Sequence, residues 1–386
     1  MLISYGQFAT AGRLLHDCLA RRRVVMVLDE SHRIKSGRAG VTPQEILRVS
    51  HLPERKLILS GTPCPQSLAD LIPQFSFLYP DQPVDEETVA DAFRPVYVRT
   101  TKAQLGLPPV EHRIISLEMT PLQRELYESL RSETRRQMLA MLSAAERATL
   151  RDLGKKIMKV LAFVSNPSLL AGDLAYLFDR RLGALLAADA GPKLRYACRR
   201  ARELAAEGQK VIIWSQFVKN VRLLTERLQD LGADCIDGSV PTGDEDEEDT
   251  REWKIRQFHE NREKMVLILN PAAAAESISL HRACRHAIYV DRSFNAAHYL
   301  QSEDRIHRLG LEPGQSPVVE LLECRGTIDE VVDRRLRQKI RTMAEALNDG
   351  SLQVEAIPYD TDAAAGDVDD EDLRAVLAHL LGDGGR

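Results

Sequence analysis

QSEDRIHRLG, Gln301–Gly310, sets two arginines three residues apart, and its reading decides how the rest of the chain is parsed. If the stretch is helical, Arg305 and Arg308 lie about one turn apart and aim two guanidinium groups at a single anion. On its own such a pair is usually a solvated helix face. A second stretch changes the weighing: the apolar run VVMVL, Val24–Leu28, ends in DESH, Asp29–His32. An acid pair at the C-terminal end of a buried strand is how a nucleotide-handling enzyme holds Mg²⁺ and orients water. A third stretch, LILSGTP at Leu57–Pro63, reads as another short strand running into a turn of small residues.

In this order and at these distances, the three stretches resemble the Swi/Snf-type DNA-dependent ATPases of helicase superfamily 2. The likeness runs from Met1 to about Asn348 through further collinear matches. They include Ser4 and Tyr5, DESHRIK (Asp29–Lys35), VRTTKAQLGLPP (Val98–Pro109), TPLQRELY (Thr120–Tyr127) and NPSLL (Asn166–Leu170). VIIWSQF (Val211–Phe217), DGS (Asp237–Ser239) and GTIDE (Gly326–Glu330) complete the set. The resemblance implies an α/β fold of two RecA-like lobes with parallel sheets, the first incomplete at its N-terminus, joined by a helical insertion. Residues 1–97 are then the C-terminal part of lobe one, 98–190 a helical protrusion and linker, 191–347 lobe two, and 348–386 an acidic, flexible tail. A divergent bacterial or phage-like member is implied, acting as an ATP-driven translocase or remodeller on double-stranded DNA.

Residue patterning agrees with that division. Residues 24–28 and 57–59 read as buried parallel strands. From Leu122 to about Leu185 charged and Leu/Met positions recur at helical spacing. Strands return at Val211–Trp214, Met265–Asn270, His286–Asp291 and Val318–Leu322, between helices, and a helix from about Ile328 to Leu347 follows. The acid run Asp244–Asp249 reads as an exposed loop insertion before a helix starting near Arg251.

The 386 residues are enough for two α/β lobes plus an appendage. No run approaches the apolar length of a membrane span, so no membrane partner is expected. MLISYGQFAT has neither the basic start nor the apolar core of a signal peptide, and six scattered cysteines form no CxxC pair. A cytoplasmic protein with reduced thiols is expected. The net charge of −5 is unevenly spread: from Met343 onward eleven acidic residues face two arginines, a local −9 that leaves residues 1–342 at +4. Such a tail reads as solvated sequence, or else as a polyanion competing with DNA phosphates for a basic cleft.

Roles follow from the resemblance, position by position. Asp29 would hold the Mg²⁺ of bound ATP, and Glu30 would orient the attacking water; from the residues alone, the pair is also readable as an acidic helix cap. His32 would relay between nucleotide and lobe closure. Ser60 and Thr62, in a tight turn, would couple nucleotide state to DNA grip, with a plain turn as the other reading. Arg305 and Arg308 would meet the γ-phosphate, and Gln301 would sense the nucleotide or brace His32. DNA phosphates would be gripped, without base reading, by Ser4, Tyr5, Lys35, Ser215, Gln216, Ser277 and Ser279. Each of these seven is equally an ordinary loop residue. Trp214 reads as core.

Two departures stand out. NPAAAAESISL, Asn270–Leu280, has alanines and Ser277 where the family's loop is rich in glycine. No GxxxxGK[ST] phosphate loop occurs in the 386 residues, and in the family that loop lies upstream of the Ser4-Tyr5 segment. The expectation is a truncated, split or mis-started motor whose phosphate loop comes from a separate polypeptide. The other reading is a catalytically inactive nucleic-acid-binding or scaffolding remnant.

Overall fold

The structure, a computed structural model, describes residues 1–37, 40–60, 67–98, 100, 102, 104–143, 150–170, 191–271, 273, 278–312, 314–346 and 368–381. The chain divides into two compact units, Met1–Leu105 with Gln338–Pro358, and Gly106–Arg337 with Tyr359–Arg386.

In the first unit, α1 (Tyr5–Thr10) and α2 (Gly12–Arg21) precede β1 (Val25–Leu28), and α3 (Val41–Arg48) leads to β2 (Arg55–Ile58). Helices α4 (Leu71–Leu78) and α5 (Val89–Phe93) follow. Strands β1 and β2 pair in parallel, Val25 opposite Arg55 and Leu28 opposite Ile58. Phe8, Leu15, Leu19, Leu28, Ile34, Ile46, Val49 and Phe77 pack as one core. The strands lie where their apolar runs place them, but they are not buried as expected. Val25, Val27 and Leu57 are 63%, 48% and 51% exposed, because among the described residues the sheet has only these two strands and one face is uncovered.

The second unit is built on six parallel strands. They are β3 (Glu111–Leu117), β4 (Val211–Trp214), β5 (Asp234–Ile236), β6 (Val266–Leu269), β7 (His286–Tyr289) and β8 (Val318–Cys324). Their order is β3-β8-β7-β4-β6-β5. Between and around them run α6 (Pro121–Ser143), α7 (Leu150–Ser165), α8 (Gly191–Ala206), α9 (Val218–Arg227), α10 (Arg251–Glu260), α11 (Ala296–Glu303), α12 (Ile328–Ala346) and α13 (Asp370–Leu381). All four residues of β4 and of β6 are buried, as the unbroken apolar runs of a sheet covered on both faces require. Trp214 is fully buried, stacked on Tyr289 at 6.1 Å. The α/β class with parallel sheets is therefore as expected.

Two elements differ from the sequence reading. Residues 111–117, inside the expected helical insertion, form β3 and join the edge of the second sheet, Glu111 opposite Val318. The acidic tail is not all solvated chain: α13 lies in it and packs on α6 and α7. Its anchor is Arg335 on α12, whose guanidinium is held by Asp372 at 2.7 Å, Glu371 at 2.8 Å and Asp369 at 3.3 Å. Leu373, Val376 and Leu380 supply the apolar side. Three of the acidic residues counted in the tail are thus spent on one arginine. Asp372→Asn leaves Asp369 and Glu371 on the guanidinium, so it should lower the unfolding free energy by about 1 kcal/mol, the scale of one weakened buried hydrogen bond. Urea unfolding checks this, and a midpoint equal to wild type would mean that the pair contributes nothing.

Glu323, on β8, carries a pH signature. Burial pushes its carboxyl up to about 7, against the downward pull of the Arg292 guanidinium 2.7 Å away. A folded value above the ordinary 4.5 means that this group's contribution to stability is full below that value and lost as pH rises through about 7. Glu323→Gln should flatten this part of the stability profile, read as urea midpoints at pH 5 and pH 8. An unchanged slope would put the pH dependence elsewhere.

Candidate functional site

Two clusters gather most of the residues singled out in the sequence, one in each unit. In the first, β1 delivers the chain to Asp29 at its C-terminal end. Asp29 accepts a hydrogen bond from the Glu30 amide at 3.0 Å, and its own carbonyl takes the Tyr5 hydroxyl at 2.7 Å. Burial raises the Tyr5 phenol well above its ordinary range, so it stays a donor. Glu30 sits in the left-handed region at φ 52°, uncommon for a residue with a side chain. That conformation turns the chain into the short 3₁₀ turn Ser31–Ile34 and leaves the Glu30 carboxylate 3.5 Å from His32 Nδ1. The same ring nitrogen lies 3.4 Å from Ser60 Oγ, at the end of β2. Two backbone bonds lock the strand ends together: Leu59 N to Leu28 O at 2.8 Å and Ser31 N to Leu59 O at 2.9 Å. Beneath them the Ser31 hydroxyl donates to Gln74, and Gln74 donates to Asp70 O.

Tyr5, Asp29, Glu30, His32 and Ser60 therefore form one constellation. Thr62 lies outside the described residues. Ser4, expected at DNA, has its hydroxyl engaged as the cap of α1, accepting from Gln7 N at 3.2 Å. Lys35 is half-buried after the 3₁₀ turn.

In the second unit α11 stops at Glu303, so Arg305 and Arg308 are not on a helix as expected but on the turns after it. They converge all the same: Nη1 of each donates to Ile278 O, both at 3.2 Å. Leu280 N donates to Arg305 O at 2.8 Å, which pins residues 278–280 to the turn. Gly310, at φ 108°, closes it, and a side chain there would meet His281 Nε2 at 3.0 Å. Ser279 Oγ is hydrogen-bonded to His281 Nδ1 at 2.9 Å, while Ser277 lies outside the described residues. Gln301 is buried on α11 with both amide atoms lacking a hydrogen-bond partner.

Ser215 is not placed to grip phosphate. It is fully buried, and its hydroxyl donates to Asp291 at 2.7 Å, while Gln216 offers Asp291 its backbone N–H at 2.7 Å. Ser165 donates a third bond to Asp291, whose carboxyl is nevertheless raised by burial. Asp291 is the hub that sequence reasoning missed. Its only signal was an acid closing the apolar run His286–Asp291.

Comparison with known proteins agrees with this division. The SNF2-related domain family matches residues 2–94, and the helicase conserved C-terminal domain family matches residues 193–310. The chain is similar to Protein CHROMATIN REMODELING 4 of Arabidopsis thaliana, 23% identical over 344 residues, covering 82% of this chain and 14% of that protein. It is also similar to a probable chromatin-remodeling complex ATPase chain of Oryza sativa subsp. japonica, 26% identical over 353 residues, covering 85% of this chain and 30% of that one. Among solved structures, a Sulfolobus solfataricus SWI2/SNF2 ATPase core in complex with dsDNA aligns with 94% of this chain and 75% of that chain, at 19% identity and a TM-score of 0.45. The chain thus spans less than a third of the length of the two curated relatives. No described helix is long and apolar enough to cross a membrane.

Proposed function

Because the chain belongs to the SNF2-related family of helicase-like ATPases, we propose that it is the hydrolytic part of an ATP-dependent translocase or remodeller of double-stranded DNA, acting in the cytoplasm. The observation that carries this reading is the pair of clusters: a strand-end acid pair in one unit, and in the other two arginines converging on Ile278 O.

Asp29 suits Mg²⁺, since hard carboxylate oxygen is the donor that ion takes, usually one or two carboxylates with water and substrate phosphates completing the shell. When bound, Mg²⁺ neutralises charge on the phosphates being transferred. Glu30 polarises the attacking water, and His32, itself within reach of Ser60 Oγ, lies beside its carboxylate. Arg305 and Arg308 stabilise charge on the transferred phosphoryl group. The unpartnered Gln301 amide is suited to a polar ligand at the same cluster.

The phosphate cradle has to come from outside these 386 residues, and the first unit has a place for it. Alternation along β2 turns the backbone groups of Arg55 and Leu59 toward β1, so those of Lys56 and Ile58 face the opposite edge. A groove of about 550 Å³ runs along that edge, with Leu57, Ile58 and Leu59 on one side and Val96, Tyr97 and Val98 on the other. An apolar strand leading into a phosphate loop fits there, whether from a separate polypeptide or from another stretch of the same gene product. The second reading, a non-catalytic scaffold, is favoured by the missing GxxxxGK[ST] pattern.

One experiment separates them. ATP hydrolysis is measured with the chain and its phosphate-loop segment together, with and without duplex DNA. Stimulation by DNA that fades steeply with salt supports the motor. DNA binding with no hydrolysis under any condition supports the scaffold.

A further inference from the structure

Between Arg305 and Arg308 sits His307, and two residues before Arg305 sits Glu303; neither has a role in the chemistry above. Both are buried, and both reach the same short segment almost two hundred residues earlier. His307 Nε2 lies 2.8 Å from Pro108 O, and since a carbonyl only accepts, that nitrogen donates. Glu303 Oε2 accepts from His112 Nε2 at 2.8 Å and from the Tyr299 hydroxyl at 3.1 Å. The Glu303 side chain is 0% exposed, and its other oxygen has no hydrogen-bond partner. A fully buried carboxylate is costly where an apolar side chain would fill the same space, so packing alone does not account for it.

The segment so held is distinctive. The chain first passes from the first unit to the second between Leu105 and Gly106, and Pro108–His112 begin two residues after Gly106. On its other side the arginine turn is tied to residues 278–280, by Leu280 N to Arg305 O and by both guanidinium groups on Ile278 O. The turn therefore stands between the first connection to the first unit and residues 278–280.

We propose that Glu303 and His307 are positioning residues that clamp the inter-unit connection to the arginine turn, so that the position of the connection sets the position of Arg305, Arg308 and residues 278–280. This rests on the role given to the arginines above. A displaced connection breaks two directional hydrogen bonds at once, one of them buried and one part-buried, and it pulls on the turn from both ends.

Hydrogen exchange on the full 386-residue chain tests the clamp without nucleotide. Glu303→Leu and His307→Leu, each of which removes its side of the clamp, should speed exchange at least tenfold at the Glu111 amide and also at the Leu280 amide on the far side of the turn. Peptides from β5 and β6 should not change. His307→Gln, whose side-chain amide can still donate to Pro108 O, should restore protection at both positions. The side-chain Nε resonances of Arg305 and Arg308 should shift in the first two variants and return in the third. Faster exchange confined to residues 106–112, or spread over the whole chain, overturns the proposal; if His307→Leu fails to fold, Glu303→Leu, which removes both acceptor oxygens and buries no charge, decides alone. In the assembled ATPase, Glu303→Leu should lower kcat about tenfold and leave KM unchanged. Normal kcat there, where Arg308→Ala is inactive, also overturns it. Full activity of Arg308→Ala instead removes the role of Arg308 and leaves that role to Arg305, and the exchange result still decides whether the clamp exists.

Discussion

Glu30→Gln, in the ATPase assembled with its phosphate-loop segment, should bind ATP within about twofold of wild type and hydrolyse it at least a hundredfold more slowly. General-base contributions of about 10²- to 10⁴-fold set that scale. The expectation comes from how the residue is held. Its backbone occupies a left-handed conformation at φ 52°, and its carboxylate faces His32 Nδ1 at 3.5 Å. A non-glycine residue kept there carries strain that the neighbouring bonds must hold, here Leu59 N to Leu28 O and Ser31 N to Leu59 O. The amide variant keeps shape and can still meet His32, so binding and folding should survive; it cannot take a proton from water. If Glu30 were only an acidic cap, neutralising it would barely change turnover. Turnover within threefold of wild type would therefore remove Glu30 from the chemistry and leave Asp29 as the only acid of the pair with a role.

The parts of the fold visible in the sequence were those whose local pattern and tertiary setting agree. Val211–Trp214 and Val266–Leu269 are apolar at every position, and a strand covered on both faces is what that pattern demands. Residues 111–117 gave no such signal. EHRIISL mixes charged and apolar residues because β3 is an edge strand, with most of its side chains at least partly exposed. Helix α13 was hidden by composition, since DVDDED dominates the reading of residues 367–372. The buried Leu373, Val376 and Leu380 keep helical spacing just after it, and Arg335, the partner for those acids, lies more than thirty residues upstream.

The candidate site divides along the same line. DESH and QSEDRIHRLG are contiguous, so their residues were found together. Asp291 collects bonds from Ser165, Ser215 and Gln216, and no spacing rule joins residues so far apart in sequence. The spacing of Arg305 and Arg308 was informative even though the helix was not there. Both side chains reach Ile278 O from a turn instead of a helix face, because the helix ends at Glu303 and, after the capping bond from Asp304 N to Leu300 O, Arg305 N and Ile306 N bond carbonyls three residues back.

That geometry sets the second large effect. Arg308 is exposed on the turn and bonds a backbone carbonyl, so its guanidinium can leave Ile278 O for a phosphate without uncovering a buried charge. Its contribution should appear in the transition state, where charge builds on the transferred group, more than in ground-state binding. Arg308→Ala is expected to lower kcat by about 10³-fold with KM for ATP little changed, the range seen when an arginine of this kind is removed. Arg308→Lys should recover little of the loss, because a compact ammonium cannot offer the planar fork that spans two phosphate oxygens. Stability should barely respond, since an exposed arginine with one neutral acceptor is worth at most about 0.5 kcal/mol to the fold. Urea midpoints and steady-state kinetics on the same preparations separate the two quantities. If Arg308→Ala turns over normally, Arg308 is surface charge, and Arg305, buried beside the same carbonyl, is left as the one arginine able to act on the phosphoryl group.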